Sequence, residues 1–306
     1  MSAYRTVGKD GLRGGDMRAR RFHAVAGLLL LSGASVASAA AAGPRAALDW
    51  SRPRRYGELR DGLVVQRSPY EPMEVVLDAC GSRPGASPIT AYTFSTSRAG
   101  DAPVTQAGCR VTVTGAAGEA FTAAVAVSDA AGRVGRASAA VTIVDHLVVA
   151  AGDSYASGEG NPDVPIAWAA PGTIAAPARW EDASCHRSRF SPAAFAAAKL
   201  EDGDDKSTVT FVSAACTFHA TGDVLERQLP ELAARLAPPP GRAPRRIDVF
   251  ALGVGGNDME FIPALFLCVL GTLDASRVDL FGTSCVGMDA LERSFGLGVS
   301  ELPARL

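Results

Sequence analysis

Near residue 145 the hydrophobic rhythm of this chain changes, and that change restricts the folds open to it. Upstream, MEVVLDA, ITAYTFS, CRVTVTG and FTAAVAVSDA place apolar residues at every second position. That is the period of a half-buried strand. The stretches between them, GSRPGASP, SRAGDAP, GAAGE and DAAGR, carry turn residues. With a last strand in ASAAVTIVD, residues 68–145 predict a small all-β sandwich. Downstream, HLVVAAGDS, STVTFVSAAC and RIDVFALGVGGND read as buried strands, and SPAAFAAAKL and VLERQLPELAARL as helices. This alternation predicts a doubly wound parallel α/β sheet over 146–306. In such a sheet the loops leaving the carboxyl ends of the strands converge. Three loops are therefore expected together: around Ser154, across Thr217 to Gly222, and across Gly255 to Asp258.

The N-terminus reads as an address. Within residues 1–42, the stretch from Met17 carries Arg18, Arg20 and Arg21, a short apolar core from Ala24 to Leu31, and the cleavage pattern Ala37-Ser38-Ala39. Met17 is the expected start and Ala40 the approximate mature terminus. The apolar run is too short for a permanent membrane span. So is FIPALFLCVLGTL (261–273), which predicts a buried helix. Residues 43–67, rich in Pro, Arg and Gly, predict a linker or a loosely docked arm.

Six cysteines fit a secreted, oxidised protein. They fall in sequence as Cys80 and Cys109, Cys185 and Cys216, Cys268 and Cys285. Nearest-neighbour pairing respects the change of pattern at 145. No CxxC or HxxxH spacing exists, so a metal site is not expected. A formal charge of −2 gives no sign of a nucleic-acid binder. Asp202, Asp204 and Asp205 read as a solvated acidic turn.

The chemistry lies in the loops. In Gly152-Asp153-Ser154, a serine at the end of a buried strand, flanked by small residues, presents its hydroxyl and its own amide. In Gly253-Val254-Gly255-Gly256-Asn257-Asp258, the glycines allow close backbone approach and Asn257 offers an amide donor. The spacing differs from a dinucleotide-binding glycine pattern.

GDSYASGEG and VGGND together resemble the first and third blocks of the SGNH (GDSL-type) hydrolase family. Cys185-His186-Arg187-Ser188, Ala215-Cys216, Asp223-Val224 and Gln228 resemble its secreted bacterial lipase/esterase branch. VVLDACGSRPGASPITAYTFS and FTAAVAVSDAAGRVGRASAAVTIVD resemble the PKD/immunoglobulin-like modules of secreted bacterial proteins.

The hydrolase resemblance implies ester hydrolysis through an acyl-serine, with no metal or organic cofactor. Ser154 would be the nucleophile, and the Ser154 amide with the Asn257 side chain would hold the oxyanion. Asp153 would shape the loop. In that branch Cys185 and Cys216 form a disulfide, and Cys268 with Cys285 closes a short loop. The substrate would be a lipid, an acetylated polysaccharide or a small ester, and the protein a secreted monomer.

Two departures stand out. Phe218 falls where the family's second block has a glycine that lends its amide, with Gly222 as the shifted alternative. The family's DxxH histidine is absent after GGND, so the resemblance places the base beyond Leu306. His23, His146, His186 and His219 are the histidines present, and His219 is the candidate surrogate base. Trp168 and Trp180, on the insertion after Ser154, are expected to pin that loop, with contact to an acyl chain or a sugar as the alternative. The competing function is a non-catalytic extracellular binding or adhesion protein with a degenerate hydrolase domain.

Overall fold

Strict alternation of apolar residues makes two facing sheets. The computed structural model describes residues 42–259. The address stretch from Met17, the 261–273 segment, and Cys268 with Cys285 lie outside the described residues. The first strands are β1 (Asp49–Ser51), β2 (Leu59–Arg60), β3 (Leu63–Val64), β4 (Met73–Asp78) and β5 (Ile89–Thr96). They are followed by β6 (Val104–Gln106), β7 (Arg110–Gly115), β8 (Ala120–Asp129) and β9 (Val134–Thr142). β1, β4 and β7 form one antiparallel sheet, and β6, β5, β8 and β9 another, in those orders. Between them lie Met73, Val75 and Leu77 of β4 and Phe121, Ala123, Val125 and Val127 of β8, closed by Phe94, Val141 and Ile143. Each large apolar side chain buried there contributes about 1.5–3 kcal/mol. A disulfide joins Cys80 to Cys109.

Residues 43–67 are docked along the molecule. β1 pairs with β4, and Arg52, Arg55, Tyr56 and Val64 are buried. The Tyr56 ring lies 5.2 Å from that of Phe211.

Ile143 alone separates β9 from the next strand, β10 (Val144–Gly152). The remaining elements are α1 (Ser154–Ser157), β11 (Ala167–Ala170), β12 (Thr173–Ala176), α2 (Pro192–Asp202) and β13 (Ser207–Ser213). Then come α3 (Thr221–Asp223), a π-helical turn (Val224–Gln228), α4 (Leu229–Arg235) and β14 (Val249–Gly253). β13, β10 and β14 pair in parallel, with Val148 opposite both Phe211 and Val249. Ala194 and Ala197 of α2 join Val148, Ala150, Val209 and Phe211 in one cluster. Val224 and Leu232 join Leu147, Val149 and Val212 in a second.

The doubly wound parallel sheet is not the fold of the described residues. They are mostly strands in several small antiparallel sheets, with few helices, and parallel pairing is confined to three strands. The physical reasons are local. The alanine-rich insertion after Ser154 turns at Pro171-Gly172 into the antiparallel β11–β12 hairpin. Among the described residues only α2, capped by Ser191 and opened by Pro192, reaches eleven residues.

Where sandwich and parallel sheet meet, the carboxylate of Asp145 is fully buried. It accepts hydrogen bonds from Thr208 Oγ1 at 2.7 Å, Thr210 Oγ1 at 2.8 Å and the Arg245 guanidinium at 2.6 Å. Arg245 also donates to the Asp145 and Pro69 carbonyls. Arg55 donates to Thr210 Oγ1 and the Ser68 carbonyl. One ionic cluster thus ties the docked arm, β10, β13 and the approach to β14.

Candidate active site

The site is assembled at the carboxyl ends of β10, β13 and β14. Gly152 ends β10 beside Gly253 of β14 at φ +140, and a Cβ there would lie 1.9 Å from the Gly253 carbonyl oxygen. Only glycine passes. The chain then turns into α1. Asp153 caps it: its carboxylate accepts from the Tyr155 amide at 3.0 Å, and its own amide donates to the Gly253 carbonyl at 2.9 Å. A Cβ at Gly256 would lie 3.6 Å from this carboxylate, an ordinary contact.

Ser154, the first residue of α1, is half-exposed, and its backbone carbonyl accepts from the amides of Gly158 and Glu159. Its hydroxyl has no hydrogen-bond partner among the described residues. Its amide is one of the donors that a helix start leaves without an acceptor.

The loop after β13 is held at both ends. Cys216 is bonded to Cys185, its amide donates to the Gly152 carbonyl at 3.0 Å, and the Thr217 amide donates to the Cys185 carbonyl at 3.1 Å. Phe218 sits at φ +63 with 71% of its surface exposed. This is the left-handed region that glycine occupies freely. Phe218 therefore holds, at a cost, a conformation that glycine takes freely, and its amide has no acceptor among the described residues. Gly222 instead lies exposed in α3 with open space around it.

Side-chain hydrogen bonds join the loop after β13 to the loop after β14. Asn257 Nδ2 donates to the His219 carbonyl at 2.8 Å. The Asp258 carboxylate accepts from the Thr221 amide at 2.9 Å and from its hydroxyl at 2.9 Å. The Gln228 amide, fully buried, pairs with both backbone groups of Gly152 and with the His219 ring. Gly255, buried at φ +119, turns the chain toward Asn257. Ser154, Asn257, His219 and Phe218 are thus carried by loops bonded directly to one another. Gln228 and Thr221 do most of that tying. Gln228 had a legible signal: with Val224 and Leu232 it falls on one inward stripe, i, i+4, i+8, where a polar residue needs partners.

The insertion after α1 behaves unevenly. Trp180 stacks on the His186 ring at 4.6 Å, and His186 Nδ1 pairs with the Glu159 carboxylate at 2.8 Å, which fixes that part of the loop. Trp168 does not pin the hairpin: it is 59% exposed, opposite Ile174. Nearby, Asp163 accepts from the Glu181 amide at 2.7 Å and the Arg189 amide at 3.0 Å. Burial pushes the Glu181 carboxyl up to about 7; Arg187 opposes the shift and Asp163 adds to it.

No family model and no curated protein matches the sequence. Among solved structures the chain is similar to a family two carbohydrate esterase from Clostridium thermocellum in complex with cellohexaose. That match has 12% identity and a TM-score of 0.22, over 69% of this chain and 67% of the other. It is also similar to a carbohydrate esterase whose active site displays divergent catalytic and non-catalytic binding functions. There the identity is 13% and the TM-score 0.21, over 70% of this chain and 65% of the other. The chain spans about two thirds of the length of these structures. At such TM-scores the likeness carries no functional weight. Among the described residues no helix is long and apolar enough to cross a membrane.

Proposed function

We propose that this chain is an exported serine hydrolase of carboxylic esters, with site blocks of the SGNH kind. One observation carries the proposal. The Ser154 hydroxyl, without a partner among the described residues, follows the end of the central strand of a three-stranded parallel sheet, and the loops bearing Phe218 and Asn257 are hydrogen-bonded to each other and to Gly152 at that strand end. In the reaction Ser154 Oγ bonds to the acyl carbon, the alcohol leaves with a proton, and water then releases the acid. Charge develops on the former carbonyl oxygen. The amides of Ser154 and Phe218 and the second N–H of Asn257 Nδ2 are donors left over to receive it. The Ala37-Ser38-Ala39 stretch and the Cys80–Cys109 and Cys185–Cys216 disulfides support export. The period-two module of residues 68–145 serves in this proposal as a spacer or adhesion module of the PKD kind.

The test is hydrolysis of a chromogenic aryl acetate by the full chain. Ser154→Ala should abolish turnover, and Asn257→Ala should lower kcat by roughly 10²–10³-fold. A rate unchanged by Ser154→Ala overturns the proposal.

A further inference from the structure

Gln228 sits where a buried side chain needs a reason to be polar. The π-helical turn Val224–Gln228 brings it inward, 1% exposed, between the loops after β10 and β13. π-turns of this kind recur at functional sites. Its amide makes three hydrogen bonds. Oε1 accepts from the Gly152 N–H at 2.8 Å, Nε2 donates to the Gly152 carbonyl at 2.8 Å, and Nε2 lies 2.9 Å from His219 Nδ1.

The two backbone groups of Gly152 decide which end of the amide is which. The Gly152 N–H can only donate and the carbonyl can only accept. Turning the amide over would set N–H against N–H and oxygen against oxygen. The nitrogen end therefore faces His219, and its second hydrogen points at Nδ1. An amide nitrogen offers no lone pair, so Nδ1 must be the acceptor. A neutral imidazole with an accepting Nδ1 carries its proton on Nε2.

We infer that Gln228 is a positioning residue that holds His219 as the Nε2–H tautomer and makes it a hydrogen-bond donor at the site. The inference rests on the hydrolase proposal only for its catalytic consequence. Both ring nitrogens are committed: the Nδ1 lone pair is taken by Gln228, and Nε2 bears the proton. His219 then has no basic nitrogen to offer Ser154, which removes it as surrogate base. Its backbone is held as well, since the His219 carbonyl accepts from Asn257 Nδ2. One buried amide thus couples three things: the residue two before Ser154, the ring of His219, and through His219 the placement of Asn257.

The experiment is long-range nitrogen–proton correlation NMR on the full chain with labelled histidine. It is run at mildly alkaline pH, where an ordinary imidazole is neutral. His219→Ala assigns the ring by loss of its signals. The wild-type ring should show an unprotonated Nδ1 and a protonated Nε2. In Gln228→Glu the carboxylate can accept but not donate, so the proton should move to Nδ1. A protonated Nδ1 in the wild type overturns the inference, and this needs no folded variant. An unchanged tautomer in a folded Gln228→Glu protein also overturns it. No Ser154-dependent turnover in the wild type overturns the hydrolase proposal instead, and the spectrum still decides the tautomer.

Discussion

Phe218 pays for its place in the loop after β13. A non-glycine residue at φ +63 carries about 1–2 kcal/mol of backbone strain. Phe218→Gly should therefore keep the amide, keep Ser154-dependent activity, and leave stability equal or raised by about 1 kcal/mol in urea unfolding. Phe218→Val, β-branched in the same conformation, should destabilise instead. Glu181 gives a pH signature. Its folded pKa, about 7, stands above its ordinary 4.5 because burial disfavours the charged form. Its contribution to stability is thus complete below about pH 4.5 and is lost as pH rises through 7. The loss is about 3 kcal/mol. Glu181→Gln should flatten the stability–pH profile across that window, read from denaturation midpoints. At this scale the three loops were legible because each follows a buried strand run, and the loop carrying Asn257 is indeed bonded to the one carrying His219. The stripe of Val224, Gln228 and Leu232 marks Gln228 as a buried polar residue that needs partners, but not which ones, because its bonds to Gly152 span 76 residues of sequence.

The Cys185–Cys216 disulfide governs the loops around the candidate site. It spans 31 residues and anchors the Thr217 amide to the Cys185 carbonyl beside Phe218. Replacing both cysteines by alanine should cost about 3–4 kcal/mol and lower Ser154-dependent turnover. Removing Cys80–Cys109, which spans 29 residues in the sandwich, should cost similar stability and leave turnover intact. Urea unfolding and ester hydrolysis on both variants separate these outcomes. Single elements were readable from the sequence. HLVVAAGDS contains most of β10, STVTFVSAAC and RIDVFALGVGGND contain β13 and β14, and SPAAFAAAKL contains most of α2. The fold class was not readable from them. Alternation of strands and helices says nothing about the insertion between them, and AWAAPGTIAA, rich in a helix former, folds back as a hairpin. Nor did the Pro- and Arg-rich composition of 43–67 reveal that Arg52, Arg55 and Tyr56 would be buried against the parallel sheet and its junction with the sandwich.

Asp145 matters to the whole molecule, because every segment that meets at the junction is tied to it. Asp145→Ala leaves Arg245 and Arg55 buried without their carboxylate, and should cost about 3–5 kcal/mol. The loss should appear as one cooperative transition if sandwich and sheet unfold together. The central claim, however, is chemical: that Ser154 is a reactive nucleophile. The most direct measurement is the mass of the full chain after exposure to a fluorophosphonate, with the adduct mapped by peptide sequencing. The expected result is a single adduct on Ser154 that is absent in Ser154→Ala and slowed in Asn257→Ala. A folded chain that takes no adduct, or takes it on another serine, contradicts the claim.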